Sequence, residues 1–138
     1  MSFARDYFTK LTETVRLLDY GEFDNGIALL DEAWKNGKPI ITFGNGGSGS
    51  TASHYICDWN KGISYGRKDR MKGMCLNDNF ATMLAYGNDV SYESIFVEQL
   101  KNFIEKDCLI VALSGSGNSK NVLNAVEFAN NNGAQTLA

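Results

Sequence analysis

Pro39-Ile40-Ile41-Thr42-Phe43, followed at once by Gly44-Asn45-Gly46-Gly47-Ser48-Gly49-Ser50, decides the fold of this 138-residue chain. A short apolar run bounded by proline and glycine reads as a buried strand, and the small residues after it as a tight turn into a helix. A second unit repeats the design. Cys108-Leu109-Ile110-Val111-Ala112-Leu113 runs into Ser114-Gly115-Ser116-Gly117-Asn118-Ser119. Strand–turn–helix units with bare amides at the helix start form pockets for anions, so the expected ligand is phosphorylated.

Working outward, the pattern predicts strands at 39–43, 72–76 and 108–113, with a fourth opening at Gln135-Thr136-Leu137-Ala138. Helices are predicted at 48–60, 78–86, 91–104 and 119–131, and a polar loop at 61–70. Short apolar runs between helices specify an α/β fold, a doubly wound parallel sheet covered on both faces. Ligands in such sheets bind beyond the carboxyl ends of the strands, where both glycine–serine turns fall. Ahead of this unit, Ala4, Phe8, Leu11, Val15 and Leu18 form one helical seam, and Phe23, Ile27, Leu30 and Trp34 a second. Residues 1–36 are therefore read as an N-terminal helical extension and 37–138 as the sheet domain. The seams can pack on their own domain or on another subunit. The pattern stops inside the fourth strand, so the C-terminal part of the domain is expected to be missing.

Composition narrows the function. The chain is 43% hydrophobic and 21% charged, with net charge −3. This is ordinary for a globular domain and offers no basic surface for nucleic acid or an anionic membrane. The basic run Arg67-Lys68-Asp69-Arg70 is broken by an acid and reads as a solvated loop. No segment has the length or polarity of a signal or a membrane span. The cysteines, Cys57, Cys75 and Cys108, are odd in number and lie in apolar segments. They read as reduced, buried thiols of a cytoplasmic protein.

The motifs each have a plain alternative. Gly44-x-Gly46-x-x-Gly49 satisfies the dinucleotide pattern, but Asp78 lies two residues past the second strand and hydroxyls crowd the helix start. No nucleotide cofactor is expected. A P-loop is excluded, because Pro39 follows Gly37-Lys38 and Glu32 stands where that motif needs glycine. Ser114, Ser116 and Ser119 could supply one helix cap and a flexible turn, yet three serines after a buried strand favour a phosphate. His54 and Asp58, four apart, share a helical face. They are either a surface ion pair or an acid/base or metal half-site. Asn88 and Asp89 either turn the chain ahead of Ser91 as a cap or reach sugar hydroxyls.

Together these pieces resemble the sugar isomerase (SIS) domain, in its phosphoheptose isomerase branch. The resembling residues are Gly44-Asn45-Gly46-Gly47-Ser48, Ala52-Ser53-His54, Gly87-Asn88-Asp89, and Ser114 through Ser119 with Asn121-Val122. The resemblance implies a flavodoxin-like SIS fold with a five-stranded parallel sheet, assembled as a homotetramer. It implies conversion of sedoheptulose 7-phosphate to D-glycero-D-manno-heptose 7-phosphate through an enediol, toward bacterial lipopolysaccharide or capsule heptose. By similarity Ser114, Gly115, Ser116 and Ser119 would hold the phosphate, and Asn45, Gly46, Ser48, Asn88 and Asp89 would line the sugar. Asp58 falls where the isomerases carry a catalytic glutamate and is one methylene shorter. His54 falls where some carry a zinc ligand, so His54 and Asp58 are the candidate catalytic and metal residues and zinc the implied metal. Some relatives bind phosphosugars without turnover and act through protein contacts, one on the bacterial replication initiator. That is the alternative reading.

Overall fold

A computed structural model describes residues 2–138. Four parallel strands, β1 (Pro39–Gly44), β2 (Lys72–Cys75), β3 (Leu109–Leu113) and β4 (Gln135–Leu137), lie in the order β2-β1-β3-β4. Register is direct: Ile40 faces Gly73 on one side and Leu109 on the other. The order reverses between β1 and β3, the point at which open α/β sheets bind ligands. The described residues hold four strands, against the five that the resemblance implies.

Alternation along the central strands builds two cores. Ile41, Phe43, Ile110 and Ala112 point to one face, where α5 (Ile95–Phe103) and α6 (Lys120–Asn131) bring Ile95, Phe96, Leu100, Val122, Ala125 and Ala129. Phe43 and Phe96 stack there with centroids 4.8 Å apart. Each fully buried aromatic contributes roughly 1.5–3 kcal/mol of transfer free energy. On the other face Ile40, Leu109 and Val111 meet Ala33 of α2 (Tyr20–Lys35). The α3 helix (Gly47–Cys57) covers the same side with Ala52 and Ile56. Thr42, fully buried, donates its hydroxyl to the Ala52 carbonyl at 3.0 Å and so ties α3 to β1.

The N-terminal helices behave differently from each other. No described residue of α1 (Phe3–Arg16) is buried, and its seam of Phe8, Leu11 and Val15 faces solvent. In α2 the seam splits. Phe23 and Ile27 are exposed, while Leu30 and Trp34 pack on the sheet. Asp19 caps α2 by accepting from the Gly21 and Glu22 amides, and Gly37, at φ 62°, ends it as Gly37-Lys38-Pro39 predicts.

Several boundaries moved. The chain does not leave α3 for a polar loop but continues through a π-helical turn, Asp58–Ile63. Ser64 then closes it, donating to the Trp59 carbonyl at 2.7 Å and accepting from the Met71 amide at 3.0 Å. Nor is the loop beyond simply solvated. Trp34 Nε1 donates to the Asp69 carbonyl, and the Arg67 guanidinium lies 4.6 Å from the Trp34 ring centroid. The helix expected to end at 86 runs on as α4 (Phe80–Asp89), so Gly87-Asn88-Asp89 is its last turn. Ser91 does not cap α5; its hydroxyl meets that of Ser94 at 2.8 Å, and a 3₁₀ turn, Tyr92–Ser94, leads into the helix. Of the three cysteines expected to be buried, Cys75 and Cys108 are, and burial pushes both thiols up. Cys57 is exposed, because it ends α3 on the side away from the sheet.

The outer edge of β2 is met at Gly73 by one side chain. Asn60, in the π-helical turn, donates to the Gly73 carbonyl at 2.9 Å and accepts from the Gly73 amide at 3.2 Å. A primary amide thereby replaces a neighbouring strand. Among the described residues, no helix is long and apolar enough to cross a membrane.

Candidate functional site

Three chain segments leave the carboxyl ends of β1, β2 and β3 side by side, and side-chain amides stitch them together. Asn77, just past β2, accepts from the Gly44 amide at 3.1 Å and donates to the Gly44 carbonyl at 2.8 Å. Asn45, just past β1, exchanges two hydrogen bonds with Asn121 on the first turn of α6, both at 2.9 Å. The Tyr92 hydroxyl donates to the same Asn45 oxygen at 3.0 Å.

This stitching explains the glycines. A Cβ on Gly44 would stand 2.7 Å from the Leu113 carbonyl oxygen and 2.9 Å from Ser48. One on Gly49 would stand 2.8 Å from both Asn77 Nδ2 and the Gly44 carbonyl. Both lack side chains because protein backbone and Asn77 occupy the space, with no dinucleotide required. Gly46 precedes α3 at φ 53°, a left-handed conformation that favours glycine.

The second turn is looser. Gly117 adopts φ 65° and its amide bonds the Ser114 carbonyl, while Ser116 accepts from the Asn118 amide. Ser119 occupies the N-cap position of α6, yet its side chain caps no amide. Its hydroxyl lies 3.4 Å from that of Ser114 instead, so capping does not explain this serine. The Val122 amide bonds the Ser119 carbonyl and the Asn121 side chain, and the amides of Lys120 and Asn121 ahead of it belong to the helix end that favours anions. Ser48, in the first turn of α3, has no hydrogen-bond partner for its hydroxyl among the described residues.

His54 and Asp58 pair, with Nε2 3.4 Å from Oδ2, on the exposed flank of α3. His54 borders an open cleft of about 480 Å³ with Gly46, Ser50, Ser53, Cys57 and Asp78. Asp78 accepts from the Ser53 hydroxyl at 2.6 Å. No residue of the 114–119 turn lines this cleft, so the expected acid/base pair and the expected phosphate turn are not in one enclosed pocket. Asn88 donates to Asp89 at 2.7 Å, and both are exposed. Tyr92, three residues on, brings that segment to Asn45. A larger groove, about 840 Å³, runs beside β2 past Met74, Tyr86 and Gln99. It meets the cleft at Asp78 but holds none of the anion-binding turns.

The donor set meets the needs of zinc only in part. The 3.4 Å separation of His54 and Asp58 suits two ligands of a tetrahedral ion with bonds of about 2.0–2.1 Å. Catalytic zinc takes three protein ligands. Among the described residues no group of three His, Cys, Asp or Glu side chains could hold a metal. The pair alone does not make a zinc centre.

Sequence reasoning missed Asn77 and Tyr92 as members of the site and gave Asn121 no role. Asn121 had a signal: it stands one helical turn before Ala125 on the buried face of α6, a polar residue in an apolar stripe. Asn77 had none, because its partner lies 33 residues away.

Comparison with known proteins identifies the family. The SIS domain family model matches residues 5–138. The phosphoheptose isomerase of Campylobacter concisus is 32% identical over 91% of the chain. That of Helicobacter pylori is 35% identical over 81%. The chain spans 65% and 58% of these two relatives' lengths. A solved phosphoheptose isomerase from Francisella tularensis superimposes with a TM-score of 0.85 at 25% identity, over 96% of this chain and 71% of that one. The chain belongs to the SIS domain family, in its phosphoheptose isomerase branch.

Proposed function

We propose that the protein acts as a phosphosugar aldose–ketose isomerase, interconverting sedoheptulose 7-phosphate and D-glycero-D-manno-heptose 7-phosphate. The observation that carries this reading is the pairing of two hydroxyl-rich helix starts, at Ser48 and at Ser114–Ser119, on either side of the switch point between β1 and β3. The relatives bearing the name phosphoheptose isomerase support it.

Ser114, Ser116 and Ser119, with the first amides of α6, hold the phosphate. Asn45, Gly46, Ser48, Asn88 and Asp89 line the sugar. Of the four hydrogen-bonding valences of Asn45, three are taken within the chain, leaving one N–H for a sugar oxygen. Asp58 is the base. It removes a proton from C1 of the ketose, and the electron pair becomes the C1–C2 double bond of an enediol whose O2 takes a proton. Return of a proton to C2, with loss of the O1 proton, gives the aldose. His54, against Asp58, orients the carboxylate and donates toward the developing oxyanion. Phosphate anchoring supplies the positioning that makes the transfer unimolecular.

The reaction belongs in the cytoplasm and feeds heptose to the bacterial surface. The exposed seam of α1, continued by Phe23 and Ile27 of α2, is the contact through which copies assemble, a tetramer by the resemblance. Light scattering on the purified chain reads this assembly directly.

One observation favours a second reading. The His54 and Asp58 side chains are 73% and 61% exposed, and proton transfer gains from exclusion of water. Under that reading the chain is a non-catalytic phosphosugar module acting through protein contacts. Proton NMR of sedoheptulose 7-phosphate in deuterated water, with and without zinc, separates the two. Deuterium at the carbon beside the carbonyl, with aldose appearing, is expected for the isomerase. Line broadening without exchange selects the binding module. Asp58→Asn is expected to lower turnover about 10²–10⁴-fold and to spare phosphate binding. Unchanged turnover removes Asp58 from the role.

A further inference from the structure

We propose that Asn121, acting with Asn45 and Tyr92, is a positioning residue that fixes the second anion-binding turn against the first. This rests on the reading of the 114–119 turn as a phosphate site.

Asn121 is 2% exposed, the one strongly polar side chain in the buried stripe of Val122, Ala125 and Ala129. Its oxygen accepts from Asn45 Nδ2 and from the Val122 amide, and its nitrogen donates to the Asn45 oxygen. The bond to Val122 satisfies an early amide of α6, so the residue serves its own helix start and reaches across to β1 at once. Asn45 follows β1 directly, and Asn121 lies two residues beyond Ser119. A reciprocal amide pair fixes both distance and orientation, because slippage breaks two hydrogen bonds together.

The Tyr92 hydroxyl saturates the Asn45 oxygen. The 3₁₀ turn that carries Tyr92 also receives a bond from Asn124 Nδ2 to the Glu93 carbonyl, at 3.4 Å. Three segments distant in sequence thus close on one oxygen atom. The pair makes no use of the serine hydroxyls of the turn. Asn121 holds α6 from the side, so Ser119 need not act as its cap and remains available to a ligand.

The test titrates inorganic phosphate against the full chain by ³¹P NMR and records thermal unfolding in parallel. Asn121→Ala is expected to weaken phosphate binding at least tenfold. Tyr92→Phe, which keeps the ring at an exposed position, is expected to weaken it about threefold with an unchanged melting temperature. In sedoheptulose 7-phosphate turnover the loss falls on KM, with kcat within about twofold. The Asn45→Ala, Asn121→Ala double variant is expected to be no weaker than the worse single one, since the residues act as a unit. Phosphate affinity within twofold of the parent in both Tyr92→Phe and Asn121→Ala overturns the proposal, whatever happens to stability. Failure of the parent chain to bind phosphate overturns the reading of the turn itself, which the variants do not test.

Discussion

The two glycine–serine turns look alike in sequence and are opposite in structure. The first, Gly44–Ser50, is clamped: Asn77 holds Gly44 by both backbone groups, Asn45 reaches α6, and backbone stands where a Gly44 or Gly49 side chain would go. The second, Ser114–Ser119, is open. A Cβ on Gly115 or Gly117 would meet nothing within 4 Å. Gly44 and Gly49 in the first turn are demanded by packing, whereas Gly46 there and Gly117 in the second are demanded by a left-handed backbone. The first turn is held at Gly44 and Gly49 by the rest of the protein, and the second stands in open space at Gly115 and Gly117.

The hardest test of that contrast is Gly44→Ala. The added methyl meets backbone on two sides, so it should cost about 3 kcal/mol, the top of the usual overpacking range, in urea unfolding. A shift of a few tenths would break the comparison. Asn77→Ala leaves the buried Gly44 amide and carbonyl without partners and should cost about 2 kcal/mol by the same measurement. Ser119→Ala should separate stability from binding. It sits at a cap position but caps nothing, so unfolding should move by less than about 0.5 kcal/mol, against about 1 kcal/mol for Asp19→Ala, which removes a working cap. Phosphate affinity should fall roughly tenfold, in keeping with loss of one hydrogen bond to a charged group. Gly115→Ala should change stability least, within about 0.5 kcal/mol, because its φ is ordinary and the space is empty. If it destabilised as much as Gly44→Ala, the two turns would be one kind of structure after all.

The sheet was legible because its signals are local. Runs such as Ile40-Ile41-Thr42-Phe43 and Leu109-Ile110-Val111-Ala112 declare buried strands by themselves, and their ends fell within a residue of the reading. What was hidden is what distance makes. The dinucleotide-like spacing of Gly44, Gly46 and Gly49 acquires its meaning only when Asn77 arrives from another strand. Asn88 and Asp89 were misplaced in a turn because polar residues end helices as readily as they begin loops, and α4 holds them in its final turn. Cys57 followed the apolar character of its neighbours Tyr55 and Ile56, although it lies on the outward side of α3. Hydroxyl, amide and carboxylate identities were readable at every site position. Which of them were already engaged inside the protein was not, and that decides what Asn45 or Ser119 can offer a ligand.

The Asn60 bracket on Gly73 gives the sheet a direction. With both backbone groups of Gly73 answered by a side chain, a strand arriving there must first displace an amide. The opposite margin, at β4, carries no such stopper among the described residues. Pairing at Gly73 therefore carries a cost that pairing beside Gln135–Leu137 does not.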